Sequence, residues 1–248
     1  MANSGEYTIT GLEPNNDPVR FRSFFEQADL KEKAIRGGLS KMAAQVANFA
    51  LRLGSVMVLS RLLEPKDFGL LGMVTAVTGV LSLFRDFGLS AASVQRVTVT
   101  HEQASTLFWI NVLGGVILTL IAVAVAPVIG FFYREPRLFW LTGVVAAGFL
   151  FNGAGTQHSA ILERRMRFTA LALINTVSLA ISTAVAVGGA RAGYGYWALA
   201  AMTVSVPLTT TVGVWLVSGW VPGPPHKRTG IRSLVRFGST VTLSTLVM

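Results

Sequence analysis

The sequence predicts an all-α polytopic membrane protein with six transmembrane helices and the start of a seventh. Apolar residues make up 52% of the 248 residues and charged residues only 13%, with a mean hydropathy of +0.56. A soluble domain of this length carries about 25% charged residues. Apolar windows of about 20 residues, enough to cross a ~30 Å hydrocarbon core as a helix, recur along the chain. Glycine and alanine are scattered through them, as is typical of helix-packing interfaces.

The chain begins with a polar tail, residues 1–34, which contains six acidic residues and no apolar run. We expect a disordered cytoplasmic tail and no cleavable signal peptide. A six-helix transmembrane lobe follows at 35–220. Its spans are predicted at 38–62, 68–91, 105–132, 138–161, 168–190 and 196–220.

A basic cytoplasmic linker is predicted at 221–234, and residues 235–248 begin a further apolar run. Fourteen residues do not cross a bilayer comfortably, so we expect a sequence that stops within its seventh span. The alternative is a short interfacial helix.

The distribution of basic residues predicts the orientation. With a cytoplasmic N-terminus, inside segments hold 13 of the 21 Lys and Arg residues, outside loops hold five, and three lie within spans. The positive-inside rule therefore predicts a multi-pass membrane protein with a cytoplasmic N-terminus. The net charge of +9 is then an orientation signal, and no nucleic-acid partner is expected.

Residue content argues against an enzyme. There is no cysteine, and three histidines stand in no metal-ligand spacing. Neither a phosphate-binding glycine loop, a Ser-His-Asp order nor a paired-carboxylate cleft is visible. We predict no catalytic residue, no metal and no cofactor. A membrane-embedded glycosyltransferase is the class of enzyme that these missing motifs exclude least.

The first span carries a polar stripe at spacings of 4, 3, 4 and 3, formed by Lys41, Gln45, Asn48, Arg52 and Ser55. Arg52 lies near mid-membrane, where a charge costs ~2.5–3.5 kcal/mol on insertion scales. One interpretation is that Arg52 lines a water-filled cavity and binds an anion, with Lys41, Gln45 and Asn48 on the same substrate-binding face. The other is a packed structural arginine.

Span two ends near the inner interface with Arg85 and Asp86. These residues are candidates for a cytoplasmic gate, and the alternative is that they snorkel or cap the helix. Asp86 is also the carboxylate that would pair with a structural Arg52.

Hydroxyl and amide side chains share faces on other spans. In most cases we expect the hydroxyls to bond their own helix backbone or a neighbouring helix. Together they indicate a polar interior shared by several helices, with Asn152 as a cavity residue. The sets are Thr75, Thr78 and Ser82 in span two, Asn152, Thr156, Ser159 and Glu163 in span four, and Asn175, Ser178 and Ser182 in span five.

The stretch RLLEPKDFGLLGMVTAVTGVLSLFRDFGLSAASVQR at 61–96 resembles the polysaccharide-exporting flippases of the multidrug/oligosaccharidyl-lipid/polysaccharide exporter superfamily, in particular the colanic-acid-exporter-like branch. FFYREPRL at 131–138 and ILERRMRFTALALINTVS at 161–178 are similar to the same branch. The resemblance covers about residues 30–248 and corresponds to the N-terminal half of such a protein.

The resemblance implies two six-helix lobes around a central cavity that moves an undecaprenyl-pyrophosphate-linked oligosaccharide between the leaflets. The repeated Ile-Arg pair at 35–36 and 231–232 is consistent with a repeat of six spans. Arginines on the first helix of related flippases are thought to meet the pyrophosphate, and Arg52 matches by helix and depth. The expected partners are the lipid-linked oligosaccharide, the bilayer and a polysaccharide polymerase.

Other functions stay open at this point. The chain could be a non-transporting assembly subunit or a fragment of the polysaccharide machinery. It could also be an exporter of drugs or cations on the same fold. The absence of a pair of intramembrane carboxylates for ion coupling counts against the exporter of drugs.

Overall fold

The computed structural model describes residues 42, 45–83 and 100–225. Helix α1 covers 45–62 and is followed by five more helices. These are α2 (Pro65–Leu83), α3 (His101–Phe132), α4 (Arg137–Arg164), α5 (Phe168–Arg191) and α6 (Tyr196–Ser218). The all-α prediction is confirmed for the described residues, and each of the six predicted spans corresponds to one helix. The tail at 1–34, most of the linker and the seventh helix at 235–248 lie outside the described residues.

Helices α3 to α6 are each long and apolar enough to cross a membrane, so the prediction of an integral membrane protein is confirmed for these four. Helix α2 has 19 described residues, and the end of its predicted span at 84–91 lies outside the described part. Helix α3 has 32 residues and is about 48 Å long, which exceeds the ~30 Å hydrocarbon core.

Capping residues define the ends of α3. At its start, the Thr100 hydroxyl accepts from the Gln103 amide while the Gln103 side chain accepts from the Thr100 amide. This capping box satisfies backbone donors that a helix start leaves free. At its end, the Glu135 amide donates to the Gly130 carbonyl at 3.0 Å, across a left-handed Arg134. The chain therefore reverses within four residues, and α4 returns beside α3.

Helix α4 is the central helix of the bundle and packs closely against α3. A side chain added at Gly115 would lie 2.6 Å from the Phe149 carbonyl oxygen, and one added at Gly153 would lie 2.5 Å from the Asn111 carbonyl oxygen. Glycine therefore allows the two backbones to touch, as small residues do in membrane bundles. The Thr119 hydroxyl adds a bond to the Ala146 carbonyl at 3.0 Å.

The opposite side of α4 contacts α6 through polar groups that bond backbone carbonyls. The Thr211 hydroxyl donates to the Phe151 carbonyl at 2.7 Å, and the Trp215 indole donates to the Ala154 carbonyl at 2.9 Å. Gly155 gives Thr211 room, because an added Cβ would lie 2.6 Å from the Thr211 hydroxyl. These bonds fix the rotation of α6 about α4.

The segment after α6, residues 219–225, lies over the start of α3. The Trp109 indole donates to the Gly223 carbonyl, the Gly223 amide to the Ser105 hydroxyl, and the Trp220 indole to His101 Nδ1, each at 3.0 Å. Three hydrogen bonds therefore hold this end of α6 to α3.

At the opposite end of the bundle, Leu59 of α1 and Leu63, which follows α1, pack against alanines of α5 and against the start of α6. Asp67, in the first turn of α2, is only 7% exposed and accepts a hydrogen bond from the Glu64 amide at 3.3 Å. A carboxylate at this position also stabilises the helix start through the helix dipole.

Candidate functional site

A polar cleft of about 490 Å³ lies between α2, α4, α5 and α6. The cleft lies about midway along α2, α4 and α6. Its lining is Thr75, Thr78, Gly79, Ser82, Val145, Gly148, Phe149, Asn152, Asn175, Thr203, Val206, Pro207 and Thr210. Polar side chains of α2, α4, α5 and α6 therefore share this cleft, and no described residue of α1 lines it.

Helix α2 presents three hydroxyls to the cleft. Each donates to a carbonyl of its own helix: Thr75 to Gly72, Thr78 to Val74 and Ser82 to Gly79. The expectation that these hydroxyls bond their own backbone is confirmed. Their oxygen lone pairs stay available, so in the cleft they act as hydrogen-bond acceptors.

Asn152 of α4 lines the cleft. Its amide nitrogen donates to the Gly148 carbonyl at 2.9 Å, which orients the side chain. Asn175 of α5 is exposed at the same cleft. Two carboxamides with both donor and acceptor atoms therefore face one opening.

Thr203, Pro207 and Thr210 of α6 complete the wall and were missed in the sequence analysis. Their spacing of 4 and 3 places them on one face of a helix. That spacing could have predicted a polar face on α6, but the residues between these positions are mostly apolar and obscure the pattern. Pro207 lies close to Gly148, since a Cβ on Gly148 would be 3.5 Å from the proline ring.

The lining of the cleft is electrically neutral. All of its polar members are hydroxyls or carboxamides, and no described charged side chain contributes to it. Such a surface exchanges hydrogen bonds with a hydroxyl-rich ligand without the desolvation cost of a buried charge.

The predicted stripe on α1 is only partly described. Arg52 and Gln45 are exposed and Asn48 is half-buried, whereas Ser55 is 3% exposed and its hydroxyl donates to the Arg52 carbonyl at 2.8 Å. The Asn48 side-chain oxygen is buried and has no hydrogen-bond partner among the described residues.

Arg52 does not line the cleft. It lies seven residues before Leu59, which packs against Leu199 of α6, and that separation is about 10 Å along a helix. Thr203 and Thr210 lie about 6 and 16 Å beyond Leu199 along α6. Because the end of α1 meets the start of α6, Arg52 and the cleft lie at similar depth, with the guanidinium on α1 and the neutral groups on the neighbouring helices.

Arg52 forms no ion pair with any other residue in the part of the chain that the structure describes. Lys41, Arg85 and Asp86 lie outside that part, so the Arg52–Asp86 pair and the cytoplasmic gate stay predictions. Within 42, 45–83 and 100–225, no group of three or more His, Asp or Glu side chains could hold a metal ion.

Comparison with known proteins gives one consistent result. Residues 58–248 match a family described as "Polysaccharide biosynthesis protein". The chain is 24% identical to the lipopolysaccharide biosynthesis protein WzxC of Escherichia coli over 224 residues, 88% of this chain and 45% of WzxC. It is 33% identical to the teichuronic acid biosynthesis protein TuaB of Bacillus subtilis over 216 residues, 82% of this chain and 41% of TuaB.

A third relative is the succinoglycan biosynthesis transport protein ExoT of Rhizobium meliloti, 26% identical over 78% of this chain and 39% of ExoT. The chain spans less than half the length of these curated relatives. No solved structure matches it significantly.

Proposed function

The chain belongs to the polysaccharide biosynthesis protein family, and from that membership we propose that it forms one lobe of a carrier that flips undecaprenyl-pyrophosphate-linked oligosaccharide repeat units across the bacterial inner membrane. WzxC, TuaB and ExoT are named for the biosynthesis of lipopolysaccharide, teichuronic acid and succinoglycan, and ExoT also for transport. Under this proposal the alternating-access cavity is shared with a second lobe.

The observation that carries the proposal is that Arg52 is exposed and has no ion-pair partner among the described residues. Its side chain is exposed, the proposed topology places it near mid-membrane, and no described carboxylate neutralises it. An arginine so placed is stable only beside water, protein or an anionic ligand. A pyrophosphate supplies several oxygens for a planar guanidinium, which binds them through two parallel hydrogen bonds.

The neutral cleft supports the proposal that the cargo carries an oligosaccharide. Sugars carry hydroxyls that donate and accept; the α2 hydroxyls of the cleft accept, and the carboxamides of Asn152 and Asn175 both donate and accept. In this scheme α1 provides the charge for the pyrophosphate, and α2, α4, α5 and α6 provide neutral partners for sugars. The polyprenyl tail stays in the bilayer.

The proposed orientation has a cytoplasmic N-terminus. The α3–α4 and α5–α6 turns then face the periplasm, and the α4–α5 turn at 165–167 faces the cytoplasm. Lys41 would lie nearer than Arg52 to the cytoplasmic entrance, and Gln45 and Asn48 would lie between them. A cargo entering from the cytoplasm would meet these positions in order.

The test is Arg52→Ala in the protein as the cell makes it, with polysaccharide export measured in a strain that lacks the chromosomal copy. We expect export to be lost while membrane insertion stays normal. Arg61→Ala is the matched control, because Arg61 is an exposed arginine on the same helix at its outer end. Normal export by Arg52→Ala would refute the anion site at Arg52.

A further inference from the structure

A second cavity of about 940 Å³ lies at the turn between α3 and α4. Its walls are mainly aromatic, from Phe131, Phe132, Phe139 and Trp140, and Arg134 is its one charged lining residue. Phe131 is 88% exposed and Trp140 68% exposed. The cavity is therefore a wide apolar recess with a single cation on its rim.

The recess lies at the membrane interface. The turn carries three charged residues within four positions, Arg134, Glu135 and Arg137, and its backbone is not fully bonded within a helix. Such a segment leaves the hydrocarbon, whereas the preceding apolar residues of α3 stay in it. Arg134 therefore stands at the level of the lipid phosphates, with the aromatic walls just beneath.

The recess and the polar cleft lie on different sides of α4. At 100° per residue, Phe139 and Trp140 point about 120° and 140° away from Val145, which lines the cleft. A ligand in the recess would therefore not occupy the space proposed for sugars.

The charge of Arg134 is free to bind an anion. Arg137 pairs with Glu135, with 3.4 Å between Nε and Oε1, whereas Arg134 forms no ion pair with any described residue. Arg134 also has φ 54°, a left-handed conformation that disfavours side chains by about 1–2 kcal/mol. The equivalent turn after α5 places Gly193 there, at φ 82°. Met166 adopts the same conformation after α4, so the backbone alone marks no site.

We propose that the recess binds an anionic phospholipid of the surrounding bilayer, with the phosphate on the Arg134 guanidinium and an acyl chain against Phe131, Phe139 and Trp140. Charge complementarity selects the headgroup, and the apolar walls select a ligand with a hydrocarbon tail. An aromatic belt alone would need neither a recess nor an unpaired cation. This site is independent of the proposed transport function.

The test is native mass spectrometry of the purified full chain in detergent, titrated with dioleoyl phosphatidylglycerol. Arg134→Gly should weaken binding about tenfold, because charge-assisted hydrogen bonds to the phosphate are lost. The chain should still fold, since glycine suits the left-handed position. Arg134→Lys should retain part of the affinity.

The control is Arg191→Gln, which removes a cation at the end of α5 without touching the recess. Binding should be unchanged in this variant, and millimolar inorganic phosphate should not displace the lipid from the unmodified chain. The proposal is overturned if Arg134→Gly binds the lipid normally, or if Arg191→Gln weakens binding equally. Displacement by inorganic phosphate would instead identify a site for free phosphate.

Discussion

Substitutions at Arg52 show whether export requires only a positive charge or also the planar geometry of the guanidinium. Lysine keeps the positive charge but offers a point-like ammonium in place of a planar fork. If Arg52 binds a pyrophosphate through paired hydrogen bonds, Arg52→Lys should retain only a minor share of polysaccharide export, and Arg52→Ala should retain none. Export by the lysine variant at the normal level would show that charge alone is required. Protein level in the membrane fraction is the control measurement.

Substitution of Asn152 tests whether the neutral cleft takes part in polysaccharide export. Leucine has the same branching and number of side-chain heavy atoms as asparagine but neither donates nor accepts, so Asn152→Leu should reduce export several-fold while leaving the free energy of unfolding within about 1 kcal/mol. Leu150→Met is the matched control, because Leu150 is exposed on the same helix and lines no part of the cleft. Equal export by the two variants would exclude Asn152 from the path of the sugars.

Helices α3 and α4 depend on glycine at particular positions, and Gly114 and Gly115 make a matched pair. A Cβ on Gly114 would meet nothing within 4 Å, whereas one on Gly115 would lie 2.6 Å from the Phe149 carbonyl oxygen. Gly115→Ala should therefore push the two backbones apart and cost about 1–3 kcal/mol. Gly114→Ala should be neutral or slightly stabilising, because alanine is the better helix former.

The measurement is thermal unfolding of the purified chain in detergent, with both variants in the same buffer. A large fall in melting temperature is expected for Gly115→Ala alone. Similar melting temperatures for the two variants would mean that the α3–α4 backbones are not in contact. Gly153→Ala should behave as Gly115→Ala does, since it meets the Asn111 carbonyl from the other helix.

The sequence predicted the helices better than it predicted their packing. Six apolar windows corresponded to six helices because apolar length is what the bilayer selects. The predicted start of α3 at 105 missed its first turn, His101 to Ala104, because capping by Thr100 depends on polar residues outside the hydrocarbon. Hydropathy reports the part of a helix in lipid and not its capped ends.

The site was predictable only where one helix carries the signal. The spacing within α4 predicts one polar face, and of its four residues only Asn152 lines the cleft. That Arg52 lies outside the cleft could not be predicted, because the rotation of each helix depends on contacts such as Thr211 with Phe151. Those contacts are between residues 60 positions apart.

At the scale of the whole molecule, the orientation of the chain decides whether the N-terminal end of the polar stripe on α1 lies at the cytoplasmic or the periplasmic side of the membrane. The two turns at 133–136 and 192–195 lie at one end of the bundle, where the ends of α3 and the starts of α2, α4 and α6 share a core. The turn at 165–167 lies at the other. Arg164, Arg165 and Arg167 concentrate three cations there, which predicts a cytoplasmic location.

Reporter fusions test this orientation directly. A periplasm-active alkaline phosphatase fused after Tyr194 should be active, and the same enzyme fused after Met166 should be inactive. A fluorescent protein that folds only in the cytoplasm should give the opposite pattern. If both reporters invert, the cations at 164–167 face the periplasm, and the N-terminal end of α1 would then open to the outer leaflet. Export from the cytoplasm would in that case need a different entrance from the one that α1 provides.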